Sequence, residues 1–76
     1  MTTIELRLFA NLAPLTPPNA MAYPIDSGIS VGELLARVGV DAEEARLIFI
    51  NGVRADLNSC LYGKERVGVF PPVGGG

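Results

Sequence analysis

One short amphipathic segment, residues 30–39, limits the fold more than any other part of this sequence. Ser30 and Glu33 have the spacing of a helix capping box, and Gly39 is placed to end a helix in the left-handed conformation. Between them, apolar residues recur at helical spacing, at Val31, Leu34, Leu35 and Val38. A chain of 76 residues is too short for two layers of helices. This helix must therefore cover one face of a single sheet.

Two strands are predicted before the helix. Residues 3–9 alternate strictly between apolar and other side chains, with Ile4, Leu6 and Leu8 on one face. A loop rich in proline follows over residues 10–20. Residues 21–26 then predict a weaker strand, and Pro24 confines it to a sheet edge because proline cannot donate to the ladder.

The strands after the helix complete the sheet. Residues 46–50 lead through Asn51-Gly52, a strong hairpin signal, into a partner strand that begins at Val53. Residues 65–70 form the last strand, which can lie parallel to the first in the middle of the sheet. The prediction is an α+β fold of the β-grasp type, a mixed sheet of four to five strands with one main helix on one face.

The face of the sheet away from the helix is the candidate docking surface. Leu47 and Phe49 are expected to face the core, so Ile48 and Ile50 would point outward together with Phe9 and Phe70. Such a contiguous apolar patch, which a small core does not need, is typical of a partner interface. Packing of some of these side chains under the loop of residues 10–20 is the alternative.

Composition excludes several classes of function. The net charge is −2, with only six Lys and Arg residues, which appear scattered along the chain, so no nucleic-acid partner is expected. No histidine is present and Cys60 is the one cysteine, so no metal site, resident cofactor or catalytic residue is expected. No segment has the length of a membrane span or the form of a signal peptide, which predicts a cytoplasmic protein without membrane partners.

The residues after the last strand predict an extended segment. Two prolines, Pro71 and Pro72, remove two backbone donors and so end the ladder. Glycines carry no side chain and can thread a narrow channel; here they are Gly74, Gly75 and Gly76, which follow Val73. We therefore expect a β-grasp domain over residues 1–70 and an extended, flexible C-terminal tail over residues 71–76.

Several stretches carry a resemblance to a known family. They are Leu6–Leu12, Ser30–Leu35, Ile50–Gly52 and, most specifically, Gly63–Val73 with the glycines after it. In these stretches the chain resembles the ubiquitin-like sulfur carriers, most closely the small subunit of molybdopterin synthase and its relative in thiazole biosynthesis. That family usually has two glycines at its end, whereas this sequence has three.

The resemblance implies a carrier without catalytic groups of its own. An E1-like adenylating enzyme would use ATP to activate the Gly76 carboxylate, and a persulfide donor would convert it to a thiocarboxylate. Residues 71–75 would thread the tail into a larger catalytic subunit of molybdopterin synthase or into another sulfur acceptor enzyme. The pathway stays open between molybdopterin, thiazole and other thiolations. A ubiquitin-like protein modifier and a non-carrier β-grasp binding domain are the remaining alternatives.

Overall fold

The first strand shows how the sequence pattern builds the sheet. The computed structural model describes residues 2–72. Strand β1 (Thr2–Leu8) buries its alternate residues Ile4, Leu6 and Leu8, as the strict alternation predicted. Two 3-10 helices follow β1, Ala10–Leu15 within the predicted loop and Ala20–Ala22 at its end. Leu12 and Ala20 are buried and attach this loop to the core.

The remaining elements include the predicted helix and strands in the predicted order, together with shorter elements that were not predicted. They are β2 (Tyr23–Ile25), β3 (Ile29–Ser30), α1 (Val31–Val38), a 3-10 helix at Ala42–Glu44, β4 (Leu47–Ile50), β5 (Val53–Ala55), β6 (Cys60–Leu61) and β7 (Arg66–Phe70). The main sheet has five strands in the order β2-β1-β7-β4-β5. β1 and β7 pair in parallel, and the other neighbours pair antiparallel. The predicted mixed sheet, with its central parallel pair and its edge strand at β2, is confirmed.

Helix α1 begins and ends as its sequence predicted. The hydroxyl of Ser30 accepts the backbone N–H of Glu33 at 3.1 Å, and the Glu33 carboxylate reaches back to the Ser30 N–H, which completes the capping box. Gly39 ends the helix with φ 94° and donates its N–H to Leu35.

A second, two-stranded sheet, which the sequence pattern did not predict, lies beside the helix. β3 and β6 pair antiparallel, with Ile29 opposite Leu61. Leu61 is fully buried and Leu57 is partly buried, so both attach the segment after β5 to the core.

The core fills the space between α1 and one face of the five-stranded sheet. The helix contributes Val31, Leu34 and Leu35, each at most 1% exposed. The sheet contributes Ile4, Leu6, Leu8, Ile25, Ile48, Val67 and Val69, with Ile50 packed at the margin. Burial of these apolar side chains is the main source of stability in a domain of this size.

The face assignment predicted for β4 is wrong. Ile48 is 3% exposed and packs in the core, and Ile50 packs against the core, while Phe49 points to the opposite face. The pairing with β7 explains this orientation, because Ile48 lies opposite the buried Val69 and Ile50 lies opposite the buried Val67. Directly paired residues share one face of a sheet. Ile48 is therefore a core residue and Ile50 is partly buried at the margin of the core, so neither lies on the face where docking was predicted.

Candidate docking face

The sheet face opposite α1 carries the most distinctive surface in the described part of the chain. We call it the open face. Side chains reach it from alternate positions of β1, β7 and β4, the same strands whose other positions build the core. At one end of this face lie Phe9, Phe49 and Phe70, which we call the phenylalanine cluster.

The three rings of the phenylalanine cluster contact one another closely. Phe9 and Phe70 are stacked with their ring centroids 4.2 Å apart and 3° between the planes. Phe49 meets Phe70 edge to face, at 5.9 Å and 87°. Both arrangements are favourable for aromatic pairs. Since all three residues are half-buried, the cluster is an ordered surface that still offers apolar area to a partner.

A glycine of β7 lies beneath the cluster. Gly68 pairs with Arg7 on one side and with Phe49 on the other. A Cβ added at Gly68 would lie 3.5 Å from Cε2 of Phe9 and 4.0 Å from Cε1 of Phe70, which is ordinary van der Waals contact. The rings therefore lie over a stretch of backbone that has no side chain of its own.

An open groove of about 600 Å³ follows the open face beside the cluster. Its lining combines aromatic rings, backbone and two guanidinium groups: Arg7, Phe9, Phe49, Gly52, Arg66, Val67, Gly68 and Phe70. Apolar concave surface with a few placed charges is typical of a recognition site.

Arginine side chains border the apolar part of the open face. Nε of Arg7 donates to a carboxylate oxygen of Glu5 at 2.6 Å. Arg66 lies opposite Glu5 in the pairing of β1 with β7, and Arg54 lies opposite Phe49 in the pairing of β4 with β5. The basic residues that appeared scattered in the sequence are thus partly gathered by the fold.

The predicted docking residues are divided by the structure. Phe9 and Phe70 lie together on the open face, whereas Ile48 and Ile50 lie on the core side. Phe49 belongs to the face and was missed. The signal that could have found it was the alternation of Val67 and Val69 in the strand that pairs with β4, because it fixes which β4 residues share the buried face.

Strand β7 leads from this face into the proline pair. The N–H of Arg46 donates to the carbonyl of Phe70 at 3.0 Å. Pro71, which follows, has no N–H to offer a neighbouring strand. Pro71 is half-buried and Pro72 is exposed. The predicted threading and sulfur-carrying residues Val73, Gly74, Gly75 and Gly76 lie outside the described residues.

Residues 2–72 offer little other chemistry. Cys60 is an exposed thiol, and within this range no three His, Cys, Asp or Glu side chains gather where they could hold a metal ion. Among the described helices, none combines the length and the apolar character that crossing a membrane requires. Among the described residues, the open face is therefore the candidate functional site.

Comparison with known proteins finds similarity in structure. The sequence matches no family model and no curated protein. Two structures of small archaeal modifier protein 1 from Haloferax volcanii are similar to this chain. One has a TM-score of 0.73 at 20% identity over 96% of this chain and 100% of that chain. The other has a TM-score of 0.66 at 28% identity over 97% and 99%.

A third similar structure is of a different protein. It is a putative molybdopterin converting factor, subunit 1, from Pyrococcus furiosus, with a TM-score of 0.66 at 23% identity over 96% of this chain and 100% of that chain. These neighbours confirm, at the level of structure, the resemblance that the sequence motifs indicated. This chain therefore has the ubiquitin-like β-grasp fold.

Proposed function

We propose that this chain is a ubiquitin-like sulfur carrier that docks through its open face and presents the Gly76 carboxylate to the active sites of partner enzymes. An E1-like enzyme activates this carboxylate, and the resulting thiocarboxylate donates sulfur in the synthesis of molybdopterin. The chain acts as a co-substrate, and its partners supply the catalytic groups.

One observation carries this proposal: the phenylalanine cluster adjoins the point where β7 passes into Pro71. Phe70, the central ring of the cluster, is the last residue of β7. A partner that covers the cluster is therefore in contact with the base of the tail. At about 3.3 Å per extended residue, residues 71–76 span up to roughly 20 Å from that base. This is sufficient for Gly76 to enter an active-site cleft while the domain stays on the partner's surface.

The activation step follows from the chemistry of a carboxylate, which is a poor electrophile. A carboxylate oxygen of Gly76 attacks the α-phosphorus of ATP, pyrophosphate leaves, and an acyl-adenylate forms. The terminal sulfur of a persulfide then attacks the acyl carbon and AMP leaves. A second thiol attacks the inner sulfur of the resulting acyl disulfide, which releases the thiocarboxylate and leaves a protein disulfide. The glycines at positions 74–76 suit this role because an enclosed channel tolerates no side chains there.

The identity of the acceptor is proposed from the neighbours. The likeness to the putative molybdopterin converting factor favours a larger catalytic subunit as acceptor, which takes the sulfur and returns the Gly76 carboxylate for a further cycle. The likeness to small archaeal modifier protein 1 favours a second function, in which the activated Gly76 forms an isopeptide bond with a lysine of another protein. Both functions need the same adenylation and the same docking face.

Intact-mass measurement tests the proposal. The chain is incubated with the E1-like enzyme of its own organism, ATP and a persulfide donor, beside a variant that lacks Gly75 and Gly76 and so no longer ends in two glycines. We expect the full chain, and not the deletion variant, to gain the mass difference between sulfur and oxygen. Covalent adducts on lysines of other proteins would instead support the modifier function. An unchanged mass, without adducts and without AMP release, would overturn both.

A further inference from the structure

The charges of the five-stranded sheet are distributed unevenly between its strands and the rest of the chain. Its strands contain three basic residues, Arg7, Arg54 and Arg66, and one acidic residue, Glu5. The strands therefore carry a formal charge of +2, the difference between three and one. Since the whole chain carries −2, the remainder carries −4.

All four of these charged residues lie on the open face. Glu5 and Arg7 alternate with the buried Ile4, Leu6 and Leu8 of β1. Arg66 precedes the buried Val67 and lies opposite Glu5. Arg54 pairs with Phe49 and so shares its face. Arg54 and Arg66 are exposed, and neither has an acidic partner within ion-pair distance in the described residues.

The other acidic residues lie outside the strands of the main sheet, and two of them are engaged in local hydrogen bonds. Glu33 is occupied in the cap of α1, and the carboxylate of Glu65 accepts the backbone N–H groups of Tyr62 and Gly63 at 2.8 and 2.7 Å. The others follow β2, α1 and β5 in the chain: Asp26, Asp41, Glu43, Glu44 and Asp56. The strand residues of the open face thus carry a net positive charge in a chain whose overall charge is negative.

This distribution decides between the possible occupants of the open face. A second copy of the chain, placed face to face, would bring arginines against arginines, which is unfavourable. A single-stranded nucleic acid would need uncommitted ring faces on which to stack, whereas Phe9 and Phe70 already stack on each other at 4.2 Å. An apolar centre with a charged rim is the usual anatomy of a protein interface.

We infer that the open face is selective for a protein surface that is apolar opposite the phenylalanine cluster and carries carboxylates opposite Arg54 and Arg66. This inference rests on the proposed carrier function and specifies the chemistry of the partner. The cluster supplies buried area, and the arginines orient the partner and accelerate its approach. The acidic remainder of the chain repels the same partner surface, so docking through the helix side is disfavoured.

The test compares charge reversals on the two sides of the protein. Arg54→Glu combined with Arg66→Glu reverses the open face. Arg37→Glu is the control on α1, where the Arg37 guanidinium lies 3.9 Å from an exposed carboxylate of Asp26. KM and kcat for adenylation by the E1-like enzyme are measured at about 0.02 M and about 0.3 M salt, since screening of exposed charges changes strongly over this range. Arg54→Gln with Arg66→Gln serves as a milder pair if the reversal impairs folding.

We expect the open-face variant to raise KM about tenfold or more at low salt, with kcat unchanged. Its KM should also lose the salt dependence of the wild type, and the control should behave like the wild type. Equal KM values for the reversal and the control would overturn the inference that the partner surface is acidic. The proposed function would still stand in that case, provided that the wild type is adenylated. Failure of the wild type to be adenylated would overturn both. Binding of a labelled oligouridine by the wild type, lost in the reversal, would assign the face to nucleic acid and also overturn the inference.

Discussion

Two adjacent residues of β4 test whether one face of the sheet serves the core and the other serves docking. Ile48 lies on the core side at 3% exposure, and Phe49 lies half-buried on the open face. Ile48→Ala should therefore reduce the stability of the fold and leave docking intact. Phe49→Ala should weaken docking with a smaller loss of stability.

The loss at Ile48 can be estimated from its surroundings. The substitution removes a methyl and an ethyl group, and at about 0.8 kcal/mol per buried methylene their transfer alone is worth about 2.4 kcal/mol. The space left between β7 and α1 adds a cavity term, which brings the expected loss to about 3 kcal/mol. For a domain of this size such a loss lowers Tm by about 12–24 °C. Ile48→Val should lose only about 1 kcal/mol, because it removes a single methylene.

The loss at Phe49 should be smaller. Its ring has one edge-to-face contact, with Phe70, and part of its surface already faces water. Such an aromatic pair is worth about 0.5–1.5 kcal/mol beyond the area that it buries. We expect a total loss of about 1–2 kcal/mol and, in adenylation by the E1-like enzyme, a KM that rises about tenfold, as a central contact of an interface would give.

Urea unfolding followed by far-ultraviolet circular dichroism gives the two free energies of unfolding, and adenylation kinetics give the two KM values. The reasoning is refuted if Phe49→Ala is the more destabilising substitution, or if Ile48→Ala raises KM in protein that is still folded. Either result would mean that β4 presents the opposite face from the one described.

Three further substitutions test single features of the fold and the face. Ser30→Ala removes the hydroxyl that caps α1 and should cost about 1 kcal/mol in urea unfolding, while Ser30→Asp should retain most of the stability. Gly63→Ala should cost about 1–3 kcal/mol, since φ there is 137° and a Cβ would collide with the side chain of Thr2; wild-type stability would disprove the strain. Phe9→Leu should raise KM for adenylation less than Phe70→Leu, because Phe70 contacts both other rings whereas Phe9 is stacked on one; a larger rise for Phe9→Leu would contradict the central position of Phe70.

Local signals in the sequence were sufficient for most of the fold. The capping box and Gly39 specify both ends of α1 through bonds within a few residues. The strict alternation of β1 specifies its buried face without reference to other strands. The turn at Asn51-Gly52 is local as well, with both residues at positive φ, 52° and 81°. Each of these features is decided by neighbours in the sequence.

The buried face of β4 could not be predicted from its own residues in the same way. Four successive apolar residues, Leu47–Ile50, give no alternation from which to choose a face. The choice is made by pairing with β7, more than ten residues further along the chain, where Val67 and Val69 are buried. The two-residue pairing of β3 with β6 was missed for the same reason, because segments so short have no period of their own. The gathering of Arg7, Arg54 and Arg66 depends on the register of three strand pairings together.

Strand β7 contributes both to the core of the fold and to the docking face of the proposed function. It lies between β1 and β4, and both Val67 and Val69 are fully buried, so its position is fixed by pairing on both sides and by the core beneath. Phe70 is the last residue of that strand and directly precedes Pro71, and its ring belongs to the phenylalanine cluster. A partner bound to the cluster therefore holds the base of residues 71–76 at a defined place. Linkage of this kind raises the effective concentration of the Gly76 carboxylate at the partner's active site. The central strand thus makes docking and delivery parts of a single binding event.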